Sequence, residues 1–156
     1  MDTIRSARPL LLAAVFVCGC SPVHDMEASR DAALAVAIAR FEAIRMTDFE
    51  AAMEHDSTER YARTPRTAMR EMLQNNHARL GELQTWEFTN WRVNPQIGTH
   101  PGTYVVLIAR TTYSKVEAKE TLTLIRRTGT GPFRILCSEI ETPFVDAPET
   151  PFPMCD

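Results

Sequence analysis

The stretch that decides the fold is Tyr104-Val105-Val106-Leu107-Ile108-Ala109-Arg110-Thr111-Thr112-Tyr113-Ser114-Lys115-Val116-Glu117-Ala118-Lys119-Glu120-Thr121-Leu122-Thr123-Leu124-Ile125-Arg126-Arg127. Two alternating runs, Tyr104 to Tyr113 and Val116 to Arg127, are separated only by Ser114-Lys115, the pattern of a β-hairpin. A two-residue turn pairs Tyr113 with Val116, Thr111 with Ala118, Ala109 with Glu120, Leu107 with Leu122 and Val105 with Leu124. All ten share one face, and a slip of one residue would expose them all. Arg110, Thr112, Glu117, Lys119, Thr121 and Thr123 take the solvated face. Two features oppose this register: Arg110 faces Lys119, a like-charge pair, and Ser-Lys is a weak turn dipeptide. The segregation of faces outweighs both.

Towards the C-terminus, Thr128-Gly129-Thr130-Gly131-Pro132 reads as a turn and Phe133 to Ile140 as a further strand. Towards the N-terminus, Asn94-Pro95 to Pro101-Gly102 is a loop. Before it Trp86 and Phe88 alternate, the phase slips across Thr89-Asn90, and Trp91 and Val93 continue. Such a slip is what a β-bulge does, and a bulge bends a sheet. Ahead of Gly81 the period is helical. Leu34, Ala37, Ile38, Phe41 and Ile44 form one stripe between Arg30 and Arg45. Thr47-Asp48-Phe49-Glu50 reads as a capping box opening a short helix to about His55. Thr64-Pro65 opens a third helix with Met69, Met72, Leu73 and Leu80 on its apolar face, ended by Gly81. Helices followed by a bent antiparallel sheet predict an α+β domain with the helices packed on one face.

The chain has 156 residues, 44% hydrophobic and 24% charged, the composition of one globular domain. A net charge of -3 does not point to nucleic acid.

The first twenty residues read as an address. Arg5 and Arg8 precede the apolar run Pro9 to Val17, a charged n-region and a short h-region. The run is half of the roughly 20 apolar residues that a spanning helix needs. Val17-Cys18-Gly19-Cys20 resembles the lipobox of bacterial lipoproteins, with Cys20 the lipidated residue and new N-terminus. Cys18 fits less well, because bulky Val17 would stand where the peptidase takes a small side chain. The boundaries that follow are 1-19 for the signal peptide, 20-29 for the lipidated N-terminus and a short tether, 30-142 for the domain and 143-156 for a Pro-rich acidic tail. The eight residues from Ser21 to Ala28 reach at most about 26 Å when extended. Ser21 is not the Asp that retains such proteins in the inner membrane, so the resemblance implies a lipid-anchored protein of the outer membrane, facing the periplasm.

Arg79-Leu80-Gly81 at the helix exit, Pro101-Gly102-Thr103-Tyr104-Val105-Val106 entering a strand, and Glu120-Thr121-Leu122-Thr123-Leu124 resemble the nuclear-transport-factor-2-like superfamily. That is the cone fold shared with ketosteroid isomerase and scytalone dehydratase. Within it the chain is similar to bacterial envelope lipoproteins over roughly Ala32 to Ile140. The resemblance implies a fold, and no activity travels with it.

Glu120 is the one charged side chain on the inner hairpin face. Buried bare it would be prohibitively costly, so it is read as half of a buried ion pair, with Arg79 as partner, or as a cavity acid. Arg63, Arg66 and Arg70 share one side of a helix and are candidates for anionic contact. Trp86, Phe88, Trp91, Tyr104 and Tyr113 are candidate pocket-lining rings. His24, His55, His77 and His100 show no ligand spacing with each other or with a cysteine, so no metal and no cofactor is expected. His55 beside Asp56 is a conceivable general base, but a solvated helix end is the favoured reading. In an oxidising envelope the two thiols left in the mature chain, Cys137 and Cys155, are expected to pair. The favoured expectation is a non-catalytic envelope protein that binds or scaffolds another envelope protein, with a homodimer left open. A small apolar ligand-binding module is the alternative. An isomerase or dehydratase is the third reading, and needs an acid and a second polar group converging under the sheet.

Overall fold

Tyr113 donates its backbone N–H to Val116 O at 2.9 Å, and the hairpin forms with the register read from the sequence: Thr111 opposite Ala118, Ala109 opposite Glu120, Leu107 opposite Leu122, Val105 opposite Leu124. The computed structural model describes residues 22–96, 102–127 and 131–142. The two hairpin strands, Gly102–Tyr113 (β2) and Glu117–Arg126 (β3), stand at the centre of a four-stranded antiparallel sheet. Leu83–Gln96 (β1) and Arg134–Glu141 (β4) flank them in the order β1-β2-β3-β4. The register slips between Phe88 and Asn90. Trp86 and Phe88 therefore oppose inward Thr111 and Ala109, and Trp91 and Val93 oppose inward Leu107 and Val105. The bulge keeps both pairs on the helical side.

The weak Ser-Lys turn is held from outside. Ser114 N donates to Glu82 O at 2.8 Å, Lys115 N to Leu80 O at 3.1 Å, and Glu82 N to Ser114 Oγ at 3.0 Å. Lys115 Nζ reaches Ala78 O at 2.7 Å, covering the end of the preceding helix. Gly81 makes this possible with a φ of 86°, in the left-handed region that side chains avoid.

Among the described residues four helices precede the sheet: Pro22–Arg45 (α1), Phe49–Met53 (α2), Thr58–Arg63 (α3) and Arg66–Leu80 (α4). Three differ from expectation. The helix α1 begins at Pro22, so residues 22–28 are not an extended tether; they rise about 1.5 Å each instead of about 3.3 Å. Its buried positions are Ser29, Ala33, Ala37, Arg40, Phe41 and Ala43, while Ile38 is 43% exposed. The expected stripe is thus rotated towards Arg40. The cap of α2 is Asp48, whose Oδ1 accepts from Ala51 N at 3.0 Å, with Thr47 before it at a φ of 61°. Helix α3 has no apolar stripe; Ser57 caps it, Oγ accepting from Arg60 N at 3.2 Å.

Two apolar clusters result. Ala33, Ala37 and Phe41 lie on Val105, Leu107, Ala109, Leu122, Leu124, Phe133 and Ile135. Ala43, Ala52, Met53, Met69 and Leu73 join α1, α2 and α4.

Candidate functional site

Between these clusters lies a layer of buried charge. Arg40 in α1 donates through Nη1 to Asp56 Oδ1 at 2.7 Å, with the side chains 3% and 0% exposed. Arg60 in α3 brings Nε to 3.6 Å from Asp56 Oδ2. Its Nη2 donates to Ser138 Oγ at 2.8 Å and to Met69 Sδ at 3.4 Å. The Tyr61 hydroxyl donates to Met53 O and stands 3.5 Å from Asp56 Oδ2. Asp56 is fixed by its neighbours: Ser57 N donates to Ile135 O and Ile135 N to His55 O, both at 2.8 Å, a parallel bridge onto β4. Asp56 is therefore buried, while His55 beside it, just past the end of α2, is half-buried. Burial, then the charges of Arg40 and Arg134, holds the His55 imidazole below its usual value. Burial and then Arg40 pull the Arg60 guanidinium down to about 10, still protonated at neutral pH. Two guanidinium groups thus share one carboxylate.

Glu120, 3% exposed, stands on the sheet side of this layer. Its partner is Tyr113, whose hydroxyl donates to Oε1 at 2.5 Å, and not Arg79, which is exposed on α4. The ion pair expected with Arg79 does not form, because α4 turns that residue outward while its Met69, Leu73 and Leu80 face in. Burial pushes the Glu120 carboxyl up; Tyr113, Thr111 and Arg40 oppose it. Burial and the Glu120 charge push the Tyr113 phenol well above its ordinary range, so it stays a donor.

An acid and a phenol therefore converge, and Arg40, Asn76, His77 and Ser138 line the same space. That space is about 20 Å³, room for one water molecule, where a ligand site takes some 300 Å³ or more. The aromatic residues explain why. Trp86 and Phe88 pack on Phe41 with ring centroids 5.5 and 5.8 Å away, filling the region beneath β1. Trp91 is 38% exposed under the Arg30 guanidinium at 5.1 Å. Tyr104 opposes Ile125 on the outer face, and only Tyr113 reaches the cavity. These five rings are packing residues, not the lining of one pocket.

The arginine stripe is divided in the same way. Arg66 and Arg70 both pair with Glu50, leaving Arg63 with no ion pair among the described residues. Cys137, on β4, is disulfide-bonded; Cys20 and Cys155 lie outside the described residues, as do the signal peptide and the acidic tail. Among the described residues no group of His, Cys, Asp and Glu could hold a metal ion.

Arg40, Arg60 and Ser138 are not among the residues the sequence singles out, and Asp56 enters there only as the neighbour of His55. One signal pointed to them: Arg40 falls in the helical series 33, 37, 40, 41, 44, a charge at a core position. Comparison with known proteins finds no family model, no curated protein and no solved structure that matches the chain.

Proposed function

We propose that the protein is a lipid-anchored, non-catalytic bacterial envelope protein with a nuclear-transport-factor-2-like domain, serving as a rigid body that binds or scaffolds another envelope protein. The observation that carries this reading is the filled interior. With about 20 Å³ beside Glu120, a small apolar ligand has no room, and neither has a substrate for the Glu120–Tyr113 pair. The larger hollow, about 490 Å³, lies on the outer face and is lined by Arg110, Glu117, Lys119 and Glu141. A surface with charges of both signs suits contact with a protein better than with an apolar small molecule. No described helix is long and apolar enough to cross a membrane, and the lipobox supplies the anchor instead.

The test has two arms. Cys20→Ser should abolish fatty-acid labelling and leave the protein soluble or unprocessed, while Cys18→Ser should do neither; release by the second change alone means the anchor is misplaced. Native mass spectrometry of protein extracted from membranes should show the polypeptide without a bound small molecule. A stoichiometric apolar ligand would overturn the filled-interior reading.

A further inference from the structure

A second hollow lies between α3, α4 and β4, lined by Arg60, Arg63, Thr64, Met69, Met72, Leu136, Cys137 and Ser138. Arg60 has a side chain 6% exposed, and its Nη1 is buried with no hydrogen-bond partner among the described residues. A buried donor without an acceptor is costly and rare in native proteins, and points to a missing water or ion. A water would satisfy the N–H but not the charge. Among the described residues Arg40 and Arg60 share the single ion-pair partner Asp56, and Glu120 lies in the other cavity, beside Arg40. Next to Arg60 the hollow offers a further guanidinium on Arg63 and hydroxyls on Thr64 and Ser138.

We infer that this hollow is an anion site taking one phosphate group, free or on an anionic lipid headgroup, between Arg60 and Arg63. The floor, about 30 Å³, takes about one anionic oxygen. Exposed Arg63 closes on the remaining oxygens, as guanidinium groups do on phosphate. The site is independent of the scaffold reading: it stands or falls on its own residues.

The test titrates inorganic phosphate into the purified protein in a non-ionic detergent, against chloride at matched ionic strength, and follows the melting temperature. Phosphate should raise it in the wild type. The titration midpoint should move up about tenfold in Arg63→Gln, and Ser138→Ala should weaken it too. Arg70→Gln, which removes an exposed arginine paired with Glu50, should leave it unchanged. A parallel arm replaces phosphate with micelles doped with phosphatidylglycerol or phosphatidylcholine. Stabilisation by phosphatidylglycerol alone, lost in Arg63→Gln, identifies the headgroup as the source and supports the site. No response in either arm, or an equal response in Arg63→Gln, overturns it. Arg60 is left intact throughout, because its replacement would disturb the fold.

Discussion

Arg40 Nη1 and Asp56 Oδ1 meet at 2.7 Å, with both side chains shut off from solvent. This contact ties the long first helix to the segment that bridges onto the last strand. Its value is asymmetric. A buried pair gives little net stability against an apolar replacement, whereas removing one partner strands the other charge.

Asp56→Asn should therefore destabilise the protein by about 3–5 kcal/mol, because Arg40 and Arg60 both lose their counter-charge. Urea unfolding measures it. Glu50→Gln, which breaks two exposed pairs with Arg66 and Arg70, should leave the midpoint unchanged. Equal effects from the two substitutions would show that burial is not what makes Asp56 matter.

Glu120→Gln carries a pH signature. The folded-state carboxyl is raised by burial, so the folded protein binds more protons than the unfolded chain above the ordinary value of 4.5. Its contribution is present below that value and is lost as pH rises through the folded one. Relative to Glu120→Gln, the wild type should lose stability as pH rises from about 4.5. His55 acts in the opposite sense: its folded value is lowered, so its contribution is present above the ordinary 6.5 and is lost as pH falls from there through the folded value. Denaturation series from pH 4 to 8 on wild type, Glu120→Gln and His55→Gln separate the two; a wild-type-minus-Glu120→Gln difference that is flat with pH contradicts the first.

Gly81→Ala should cost at least about 1–3 kcal/mol from the backbone alone. A β-carbon there would also lie 2.0 Å from Ser114 Oγ, forcing the turn off the helix exit. A denaturation midpoint equal to the wild type would show that the turn does not depend on this contact.

The partner expected for Cys137 is Cys155. Opening a bond between them should lower stability by about 3 kcal/mol in the chain-entropy model. Thiol labelling of denatured, unreduced mature protein should find no reactive thiol. Two per chain would refute the pairing.

The hairpin register was legible because its alternation is strict and its two faces differ in polarity at nearly every position. The bulge was legible because Trp86, Phe88, Trp91 and Val93 must all find apolar neighbours. Helix α3 was not: Thr58-Glu59-Arg60-Tyr61-Ala62-Arg63 has no apolar period, and it is fixed by Ser57 and by contacts with β4. The charge layer was hidden for the same reason. Arg40, Asp56, Arg60 and Ser138 are brought together only by tertiary packing, and their spacing carries no pattern. Glu120 stood out as buried, but its partner did not, since Tyr113 reads as one more apolar ring.

The bridge from His55 and Ser57 to Ile135, and the bond from Arg60 to Ser138, also set an order of assembly. The helices come first in the chain, yet Arg60 in α3 and Asp56 just before it are completed by β4, 78 residues later in the case of Arg60. Until Arg134–Glu141 has docked, Arg60 lacks the Ser138 hydroxyl and Asp56 is not yet held in place. Such late, long-range closure slows folding relative to local contacts. The helical half therefore stays open to solvent until the strand from the far end of the domain has docked.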